Sequence, residues 1–381
     1  MIRFLTAGES HGPELTMIVD GFPAGLALSA ERLDAELRRR QGGYGRGARS
    51  TKIERDHGEI TGGIEKGITT GAPISLRIVN RDFANQPEVR PPLTAPRPGH
   101  ADLAGHAKFG NPDLRAVRER ASARETAGRV AAGAIAKQLL EVLRIEVGSF
   151  VTAIGDVDAS VPPLGDLGAS ELRALAVAAE ANDVRTPDEA SAPRMRIAID
   201  RAKETLDTIG GVFVVFAVGL PAGLGSHVQW DRRLSGRLAQ AIASIHAIKG
   251  VEMGDGFALA RLPGSHAQDP IVRDGQALAR TSNHAGGLEG GMTNGQPLII
   301  RAAMKPLSSV RAPVATVDLA TGAASDAPYV RSDVCAVPAA GVVGEAMVAW
   351  VLLEAVLERY GGDRVDAICA ARERDHPAAL P

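Results

Sequence analysis

Residues 62–78 read G-G-I-E-K-G-I-T-T-G-A-P-I-S-L-R-I, and residues 286–302 read G-G-L-E-G-G-M-T-N-G-Q-P-L-I-I-R-A. Eight of the 17 aligned positions are identical, and most of the others exchange one apolar residue for another. The matches include a glutamate, a proline and an arginine, so coincidence among the 43 glycines of the chain explains them poorly. The pattern predicts that one structural unit is built twice.

A second repeat lies upstream of each copy. Residues 19–26 (V-D-G-F-P-A-G-L) resemble residues 218–224 (V-G-L-P-A-G-L), and a helical pattern follows each P-A-G turn. Ser29 is the expected N-cap of the first helix and Asp231 that of the second, because short polar side chains satisfy the free N–H groups of a helix start. The order strand, turn, helix, glycine-rich loop, strand therefore occurs twice.

These repeats predict one domain over residues 1–381, made of two pseudo-repeated halves (about 1–140 and 190–381) that pair about a pseudo-twofold axis. Helical patterns do not alternate strictly with strand patterns, which favours an α+β fold over a doubly wound sheet. Strands are predicted around residues 15–19, 74–79, 147–154, 195–199, 212–218 and 298–303. A long helix is predicted from Pro338 to Gly361.

The composition is that of a globular protein. Of the 381 residues 45% are hydrophobic and 23% are charged, and the net charge of -2 argues against a globally basic nucleic-acid binder. Two cysteines cannot form a disulfide framework. The N-terminus shows no apolar segment of signal-peptide length, and the longest apolar stretch, residues 211–220, is about half a membrane span. We therefore expect a soluble, cytoplasmic protein without a membrane or nucleic-acid partner.

The stretch Gly8-Glu9-Ser10-His11-Gly12 matches the G-x-S-x-G pattern of serine hydrolases. The nucleophile of such hydrolases lies on a turn after several strands have built the sheet, whereas only seven residues precede this pattern. A serine hydrolase therefore remains only a distant alternative. Flanked by glycine and polar residues, His11 is a candidate for proton transfer near neutral pH.

Residues 38–47 (R-R-R-Q-G-G-Y-G-R-G) carry a helix end into a glycine-rich turn. Favourable charge at a helix C-terminus accounts for Arg38 and Arg39. It explains Arg46 less well, because this arginine lies between two glycines where the backbone can approach an anion. An anion clamp by Arg40 and Arg46 and a solvated basic loop both remain open.

Residues 96–102 (P-R-P-G-H-A-D) lie in a segment without apolar periodicity, and His106 follows. The histidine spacing matches no common zinc site, so no metal is predicted. A rigid loop that presents Arg97 and His100 to a pocket is the better interpretation.

Three further segments combine cations with hydroxyl groups. Arg120 and Arg124 flank a helix start, where free N–H groups favour phosphate or carboxylate, although a capped surface helix explains them equally well. Residues 305–309 (K-P-L-S-S) follow a predicted strand, and residues 331–333 (R-S-D) precede the long helix. The chain has neither a strand-linked G-x-G-x-x-G nor a Gly-Lys pair, which excludes the usual dinucleotide and triphosphate cradles.

Taken together, the motifs resemble those of the chorismate synthase family in order and spacing. They are G-E-S-H-G at 8–12, R-R-Q-G-G-Y-G-R-G at 39–47, R-P-G-H-A-D at 97–102, R-A-S-A-R-E-T-A-G-R-V-A-A-G at 120–133, K-P-L-S-S at 305–309 and R-S-D-V-C at 331–335. The resemblance implies a β-α-β sandwich, with a helical layer between two antiparallel sheets, in a cytoplasmic homotetramer. It also implies loss of phosphate and the C6 hydrogen from 5-enolpyruvylshikimate 3-phosphate to give chorismate, using reduced FMN without net redox change.

The same resemblance implies residue roles. His11, His100 and Asp333 are implied to be catalytic, with His11 protonating the leaving phosphate, His100 protonating reduced flavin and Asp333 assisting removal of the hydrogen. The implied substrate ligands are Ser10, Arg40, Arg46, Arg97, Arg124 and Arg331. The implied FMN contacts are Arg120, Ala121, Ser122, His246, Ala247, Gly290, Lys305, Pro306, Leu307, Ser308, Ser309 and Arg331. Arg40 and Arg46 are also implied to bind NADPH in members that reduce their own flavin; other members depend on a separate flavin reductase.

The chain departs from the family pattern in two segments. Ser332 and Val334 replace the histidine and proline of the commoner R-H-D-P-C sequence. His246 stands where many relatives carry asparagine or glutamine. Since Arg331 and Asp333 are retained, activity is expected. A further alternative is a flavoprotein that binds flavin but catalyses no reaction. It requires both His11 and His100 to be dispensable.

Overall fold

The computed structural model describes residues 2–87, 90–275, 277–329 and 332–375. It is a mixed helix-and-sheet fold, as predicted, with one larger antiparallel sheet built from each half of the chain. The strands of the first half are β1 (Arg3–Ala7), β2 (Glu14–Asp20), β3 (Glu59–Gly62), β4 (Ile64–Glu65), β5 (Ile68–Thr69) and β6 (Ile74–Val79). Four of them form a sheet in the order β1-β2-β6-β3.

The second half contains eleven described strands. They are β7 (Glu146–Ile154), β8 (Val157–Asp158), β9 (Gly211–Val218), β10 (Ile248–Met253), β11 (Ile271–Asp274), β12 (Ala277–Arg280), β13 (Leu288–Glu289), β14 (Met292–Thr293), β15 (Leu298–Met304), β16 (Ala315–Val317) and β17 (Ala324–Asp326). Five of them form an antiparallel sheet in the order β10-β15-β9-β7-β8.

Both copies of the repeated sequence form the same local structure. Each forms a tight two-stranded hairpin, β4-β5 or β13-β14, followed by a long sheet strand, β6 or β15. The hydroxyl of Thr69 donates to the carbonyl of Pro23 and accepts the N–H of Leu26, while Thr293 makes the same two bonds to Pro221 and Leu224. The threonine of each hairpin therefore anchors the P-A-G turn of its own half.

The two sheets also share a strand order. Matching β1, β2, β6 and β3 with β7, β9, β15 and β10 gives the same sequence of antiparallel neighbours, with β8 added at one edge. This correspondence follows from the repeated order of strand, turn, helix, hairpin and strand. The boundaries predicted for the two halves stay a prediction.

Ten α-helices occur among the described residues. They are α1 (Ala30–Gln41), α2 (Asp102–Phe109), α3 (Arg115–Arg120), α4 (Thr126–Val142), α5 (Ala169–Glu180), α6 (Ala192–Glu204), α7 (Leu234–Ala243), α8 (Gly264–Ala267), α9 (Val337–Tyr360) and α10 (Val365–Glu373). As predicted, Ser29 caps α1 by accepting the N–H of Arg32. Helices α1, α4 and α7 pack against α9, which in turn packs on β7 and β9.

Helix α9 is apolar on all sides because it is the central core helix. By length and composition alone it could cross a membrane, with a mean hydropathy of 1.8 over its most apolar window. However, 89% of that window is buried inside the protein, as in the core helix of a soluble protein. Residues 211–220 are therefore not the most extended apolar segment of the chain, and that prediction was wrong.

Helices α4 and α9 approach closely at Gly133. A Cβ at this position would lie 2.3 Å from the Cβ and 2.4 Å from the Cα of Ala346. We therefore expect Gly133→Ala to lower the free energy of unfolding by about 1–3 kcal/mol, because the overpacking outweighs the roughly 1 kcal/mol that alanine gains in a helix. Gly236 in α7 is the matched control, since its Cβ would meet nothing within 4 Å. Gly236→Ala should be neutral or stabilising in urea unfolding, and equal effects of the two substitutions would contradict this account.

Two local predictions were wrong. Residues 195–199 form part of helix α6 and not a strand. The alternation of Met195, Ile197 and Ile199 suggested a strand, but Ile197 is exposed, and the buried set (Ala192, Met195, Ala198 and Ile199) has helical spacing. Asp231 lies in a short 3-10 turn and does not cap α7.

The predicted cap of α7 is replaced by a tertiary contact. The free N–H of Leu234 at the helix start donates to the carbonyl of Gly291 in the second hairpin, at 2.8 Å. The second hairpin therefore supplies the hydrogen-bond acceptor that the sequence pattern had predicted to be the side chain of Asp231.

Candidate active site

A cavity of about 740 Å³ brings together segments that are distant in the sequence. Its walls come from the turn after β1, the C-terminal end of α1 with its following loop, the loop before α2, the junction of α3 and α4, the segments after α7 and β15, and the start of α9. Five residues on which the site prediction depends all line it: His11, Arg46, His100, Lys305 and Asp333.

Most of the other predicted site residues line the same cavity. They are Ser10, Arg40, Arg97, Ala121, Ser122, Arg124, His246, Ala247, Leu307, Ser308 and Ser309. Arg120 and Pro306 do not line it, and Arg120 instead donates to the carbonyls of Thr6 and Gly8. Gly290 is an exposed turn residue of the β13-β14 hairpin, outside the cavity lining. Arg331 lies outside the described residues.

The turn after β1 presents Ser10 and His11 to the cavity. Gly8 has a φ of +96°, and a Cβ there would lie 2.3 Å from the carbonyl oxygen of Glu14, so only glycine fits. The N–H of Ser10 then donates to the carbonyl of Glu119 at 3.1 Å, and the N–H of His11 donates to its carboxylate at 2.9 Å. The turn is therefore fixed against the end of α3.

His11 is held by the same carboxylate through its ring. Nδ1 of His11 lies 2.5 Å from Oε2 of Glu119, and Arg118 donates to the other oxygen at 3.1 Å. Burial raises the pKa of Glu119, but the bond and charge of His11, with Arg118, outweigh it and bring the pKa to about 2. On its other side, Nε2 of His11 lies 3.4 Å from Nη1 of Arg49 and 3.8 Å from a carboxylate oxygen of Asp82.

His100 has a similar environment. Its Nδ1 lies 2.6 Å from Oδ1 of Asp102, which is almost fully buried. Arg97 donates from Nε to Oδ2 of Asp102 at 2.9 Å and from Nη1 to the hydroxyl of Ser309 at 2.8 Å. Although burial raises the pKa of Asp102, its bonds to His100 and Arg97 lower it well below the usual range.

Two predicted substrate ligands share one buried carboxylate. Arg40 and Arg124 each donate to Asp56 at 2.6 Å, and all three side chains are buried. Burial, with the charges of Arg124 and Arg46 nearby, lowers the pKa of Arg40 despite the attraction of Asp56. Asp56 is thus the carboxylate that both guanidinium groups share, and Glu54 lies 3.8 Å from Nη2 of Arg124 as a second negative charge.

Besides Nε of Arg118, three predicted substrate-binding arginines carry an N–H group without a hydrogen-bond partner in the described part of the chain. They are Nε of Arg40, Nε of Arg46 and Nη2 of Arg124, all buried. A buried donor left unpaired costs free energy, and anionic oxygen atoms in the cavity would satisfy it. The arrangement is suited to a ligand that carries phosphate or carboxylate groups.

Asp333 is bound to the glycine-rich loop that follows α1. Its two oxygens accept the N–H of Gly47 and Nη1 of Arg46, both at 2.6 Å. The start of α9 and the Arg46 loop are thereby joined at the edge of the cavity. Ser332, which replaces the usual histidine, donates its hydroxyl to the carbonyl of Ser309 at 2.7 Å. This substitution therefore gives a contact to the 305–309 segment.

Positive charge exceeds negative charge around the cavity. Among the described lining residues, eight are arginine or lysine: Arg40, Arg46, Arg49, Arg97, Arg118, Arg124, Lys305 and Arg311. Four are carboxylates: Glu54, Asp82, Glu119 and Asp333. A basic pocket in a chain of net charge -2 favours an anionic ligand of small size over a nucleic acid.

One wall of the cavity is apolar. It contains Ile245, Ala247, Met304, Leu307, Ala339, Ala340 and Val343. Beside it, burial and the charge of Lys249 lower the pKa of Lys305. Burial also lowers the pKa of His246, whose Nδ1 has no hydrogen-bond partner within the described residues. An apolar wall with hydroxyl groups, a cation and an unpaired ring nitrogen at its margin fits a flat ring system that carries a phosphate.

Sequence reasoning missed several residues that line the cavity. Arg49 donates to the hydroxyl of Ser10 at 2.8 Å and to Glu54 at 3.1 Å. Arg49 lies three residues beyond Arg46 in the same basic loop, so its charge was a usable signal. No local sequence signal indicated Glu54, Asp82 or Glu119, because each reaches its partner only in the folded chain.

The serine-hydrolase alternative lacks a base. The hydroxyl of Ser10 contacts Arg49 and accepts the hydroxyl of Ser122 at 3.1 Å. Over the described ranges, no histidine ring is hydrogen-bonded to it. The same part of the chain contains no group of three or more His, Cys, Asp or Glu side chains arranged to hold a metal ion.

A basic cavity with two histidines, each anchored by a carboxylate, defines an enzyme that acts on an anionic small molecule. The chorismate synthase family model matches residues 2–357. The chain is 51% identical to the chorismate synthase of Desulforudis audaxviator, covering 95% of this chain and 94% of the relative. It is 52% identical to that of Rubrobacter xylanophilus, covering 97% and 95%. A crystal structure of chorismate synthase matches with a TM-score of 0.81 at 43% identity, covering 98% of this chain and 96% of the other.

The chain therefore belongs to the chorismate synthase family. It is an enzyme, a lyase of the shikimate pathway, and its reaction converts 5-enolpyruvylshikimate 3-phosphate into chorismate. The predicted family, function and reaction class are confirmed, and the hydrolase alternative has no support.

Proposed function

We propose that the cavity binds 5-enolpyruvylshikimate 3-phosphate beside reduced FMN, and that the histidines and arginines named above carry out the elimination. The observation that carries the proposal is the meeting of eight cationic side chains and three histidines in one cavity. The substrate bears two carboxylates and a phosphate. Its oxygens would satisfy the unpaired N–H groups of Arg40, Arg46 and Arg124. Ser10, Arg97 and Arg331 complete the proposed ligand set.

His11 donates the proton that the departing phosphate takes up. Arg49 lies beside Nε2 of His11, so a phosphate near this nitrogen also meets a guanidinium group. Positive charge fixed in this position stabilises the negative charge that develops as the C–O bond breaks. His100 holds a proton on the flavin side of the cavity, and Asp333 assists removal of the C6 hydrogen.

The apolar wall and the 305–309 segment form the proposed FMN site. Leu307, Met304 and Ala340 line the cavity and would supply the apolar surface for the ring, while Lys305 and Ser308 would supply polar contacts. His246, Ala247, Ala121, Ser122, Ser309 and, outside the cavity lining, Arg120, Pro306 and Gly290 are further proposed contacts. Bound reduced flavin supplies transient electron donation that helps expel phosphate without net redox change. Arg40 and Arg46 are the proposed contacts for NADPH, if the chain reduces its own flavin.

The finer architecture also belongs to the proposal. Contacts of α4 with β1, β2 and β7, and of α9 with β7 and β9, support a helical layer between two sheets, related by a pseudo-twofold axis. We assign the chain to a cytoplasmic homotetramer. A separate flavin reductase supplies its reduced flavin when NADPH is not used.

Anaerobic incubation with reduced FMN and 5-enolpyruvylshikimate 3-phosphate tests the proposal. Phosphate and chorismate should form in equal amounts. Arg46→Gln should raise KM for the substrate by about 10–100-fold, because a charge-assisted hydrogen bond contributes roughly 1.5–3 kcal/mol. Arg173→Gln is the matched control, since Arg173 pairs with Glu146 on the surface and should leave KM unchanged.

Three outcomes of this assay would contradict the proposal. Esterase activity that disappears in Ser10→Ala would favour a hydrolase. Tight flavin binding without turnover would favour a binding protein. An unchanged KM in Arg46→Gln would remove this arginine from the substrate site.

A further inference from the structure

Two of the three histidines that line the cavity, His11 and His100, are attached to a buried carboxylate in the same way. Nδ1 of His11 lies 2.5 Å from Glu119, and Nδ1 of His100 lies 2.6 Å from Asp102. The two carboxylates are almost fully buried, whereas both rings remain partly accessible from the cavity. The pairs come from different segments, so their similarity is not a product of the sequence repeat.

Both carboxylates are ionised and can therefore only accept hydrogen bonds. Their pKa values are lowered by the histidines and by Arg118 or Arg97, against the effect of burial. At these distances an ionised carboxylate favours the proton of each ring on Nδ1. Nη2 of Arg97 also contacts Nδ1 of His100, but at 3.1 Å it is the more distant partner. The neutral ring then has an unprotonated Nε2, which is the nitrogen that can carry a proton to or from a ligand.

Each carboxylate is itself fixed by other bonds. Glu119 accepts the backbone N–H of His11 and a guanidinium bond from Arg118. Asp102 accepts the backbone N–H of Arg97 at 3.1 Å and two bonds from its guanidinium group. Neither acceptor can rotate without losing these bonds, so the orientation of each ring is set as well as its tautomer.

We infer that Glu119 and Asp102 are positioning residues, which hold His11 and His100 with Nε2 available to the reactants and stabilise the charged rings. The inference rests on the proposed function of the two histidines. Glu119 and Asp102 act through the rings and touch neither substrate nor cofactor in this role. Comparable partners of metal-bound histidines and of a protease histidine affect rates by about 10–10⁴-fold.

Other charged groups also face the two rings. Arg49 and Asp82 lie on the Nε2 side of His11, opposite Glu119 and Arg118. Near His100 lie Arg97 and Lys305, whose ammonium group is 3.5 Å from the position of a Cβ on the neighbouring Gly99, and His246 interacts with His100 electrostatically. Glu119→Gln and Asp102→Asn leave all of these in place and remove one negative charge each.

The first test uses nitrogen-15 NMR of the full-length chain with labelled histidine. The signals of His11 and His100, among nine histidines, are assigned by their loss in His11→Ala and His100→Ala. Both neutral rings should carry the proton on Nδ1 in the unsubstituted protein. A proton on Nε2 in either ring would overturn the inference for that ring, whatever the protein does in turnover.

The second test measures turnover. Glu119→Gln and Asp102→Asn should each lower kcat by about 10²-fold while KM changes less than about threefold. The nitrogen-15 signal of the affected ring should also change, because its Nδ1 partner is no longer an ionised carboxylate. A merely structural role would not change this signal.

Asp255→Asn is the matched control. Asp255 lies 2.6 Å from Nδ1 of His284 outside the cavity lining, so this substitution should change the His284 signal and leave kcat unchanged. If Glu119→Gln and Asp102→Asn keep full activity while His11→Ala and His100→Ala do not, the positioning role fails and the proposed function stands. If the alanine variants are also fully active, the proposed function fails. A variant that does not fold leaves the NMR result on the unsubstituted chain to decide.

Discussion

Glu345→Gln is expected to lower the free energy of unfolding by about 3–5 kcal/mol. Glu345 is fully buried in the middle of α9, where its carboxylate accepts bonds from Arg39, Lys137 and Ser149 at 2.6–2.8 Å and from Arg185 at 3.2 Å. Burial opposes its ionisation, but the surrounding cations hold its pKa well below the usual range. Glutamine would leave these buried cations without their shared counter-ion.

The role of Glu345 can also be tested through the pH dependence of stability. Because the pKa of Glu345 is lower in the folded than in the unfolded chain, its contribution is present above the ordinary value of 4.5 and is lost as pH falls through the folded pKa. The free energy of unfolding of the Glu345→Gln variant should therefore decrease less steeply below about pH 5 than that of the unsubstituted chain. Urea unfolding at several pH values measures both effects.

Glu146→Gln is the control for this prediction. Glu146 is exposed and pairs with Arg173, so its loss should change the free energy of unfolding by at most about 1 kcal/mol. If Glu345→Gln lowers the free energy of unfolding by less than about 1 kcal/mol, the prediction is contradicted. Water or movement of the side chains would then compensate the buried cations in place of the carboxylate.

The cluster around Glu345 also explains the run of arginines at the end of α1. Arg39 turns toward the core and binds Glu345, whereas the next residue, Arg40, binds Asp56 at the cavity. From the sequence, the helix dipole alone accounted for Arg39. Adjacent arginines on one helix therefore serve two separate ion pairs, one in the core and one at the site.

The fold was predictable where local pattern and tertiary structure agree. The 17-residue repeat predicted equivalent strands, and β6 and β15 lie where it indicated. The equivalence extends to the bonds of Thr69 and Thr293, which no single-residue rule suggested. The prediction failed at residues 195–199, where alternating apolar residues concealed a helical burial pattern in α6.

The candidate site was predictable in most of its cations, in its histidines and in Asp333, and not in its other carboxylates. Arginine and histidine stand out in glycine-rich or proline-rich segments, and the family motifs contain them. Glu119 lies next to a quoted stretch of the sequence, but it reaches His11 across 108 positions. Asp56 likewise joins Arg40 to Arg124 only after α1 and α4 pack together. Pairing of this kind depends on the assembled fold and leaves no local signal.

His11→Ala and His100→Ala are each expected to lower kcat by about 10²–10⁴-fold, the usual contribution of a proton-transfer group. Each ring lies in the cavity with its Nδ1 side bound to a carboxylate, so its loss removes the proposed proton donor and leaves the proposed substrate-binding arginines. KM should consequently change much less than kcat. Since Glu119 and Asp102 keep their bonds to Arg118 and Arg97, both variants should remain folded.

Steady-state kinetics with reduced FMN under anaerobic conditions measures these effects. His57→Ala provides the control, because His57 pairs with Asp34 on the surface and does not line the cavity. The two active-site variants should also differ from each other in flavin binding. Loss of His100, which lies near Lys305 and interacts with His246, should weaken flavin binding more than loss of His11, which lies beside Arg49. Full activity in either alanine variant would show that its histidine transfers no proton in the rate-limiting step, and the role assigned to it would have to be given up.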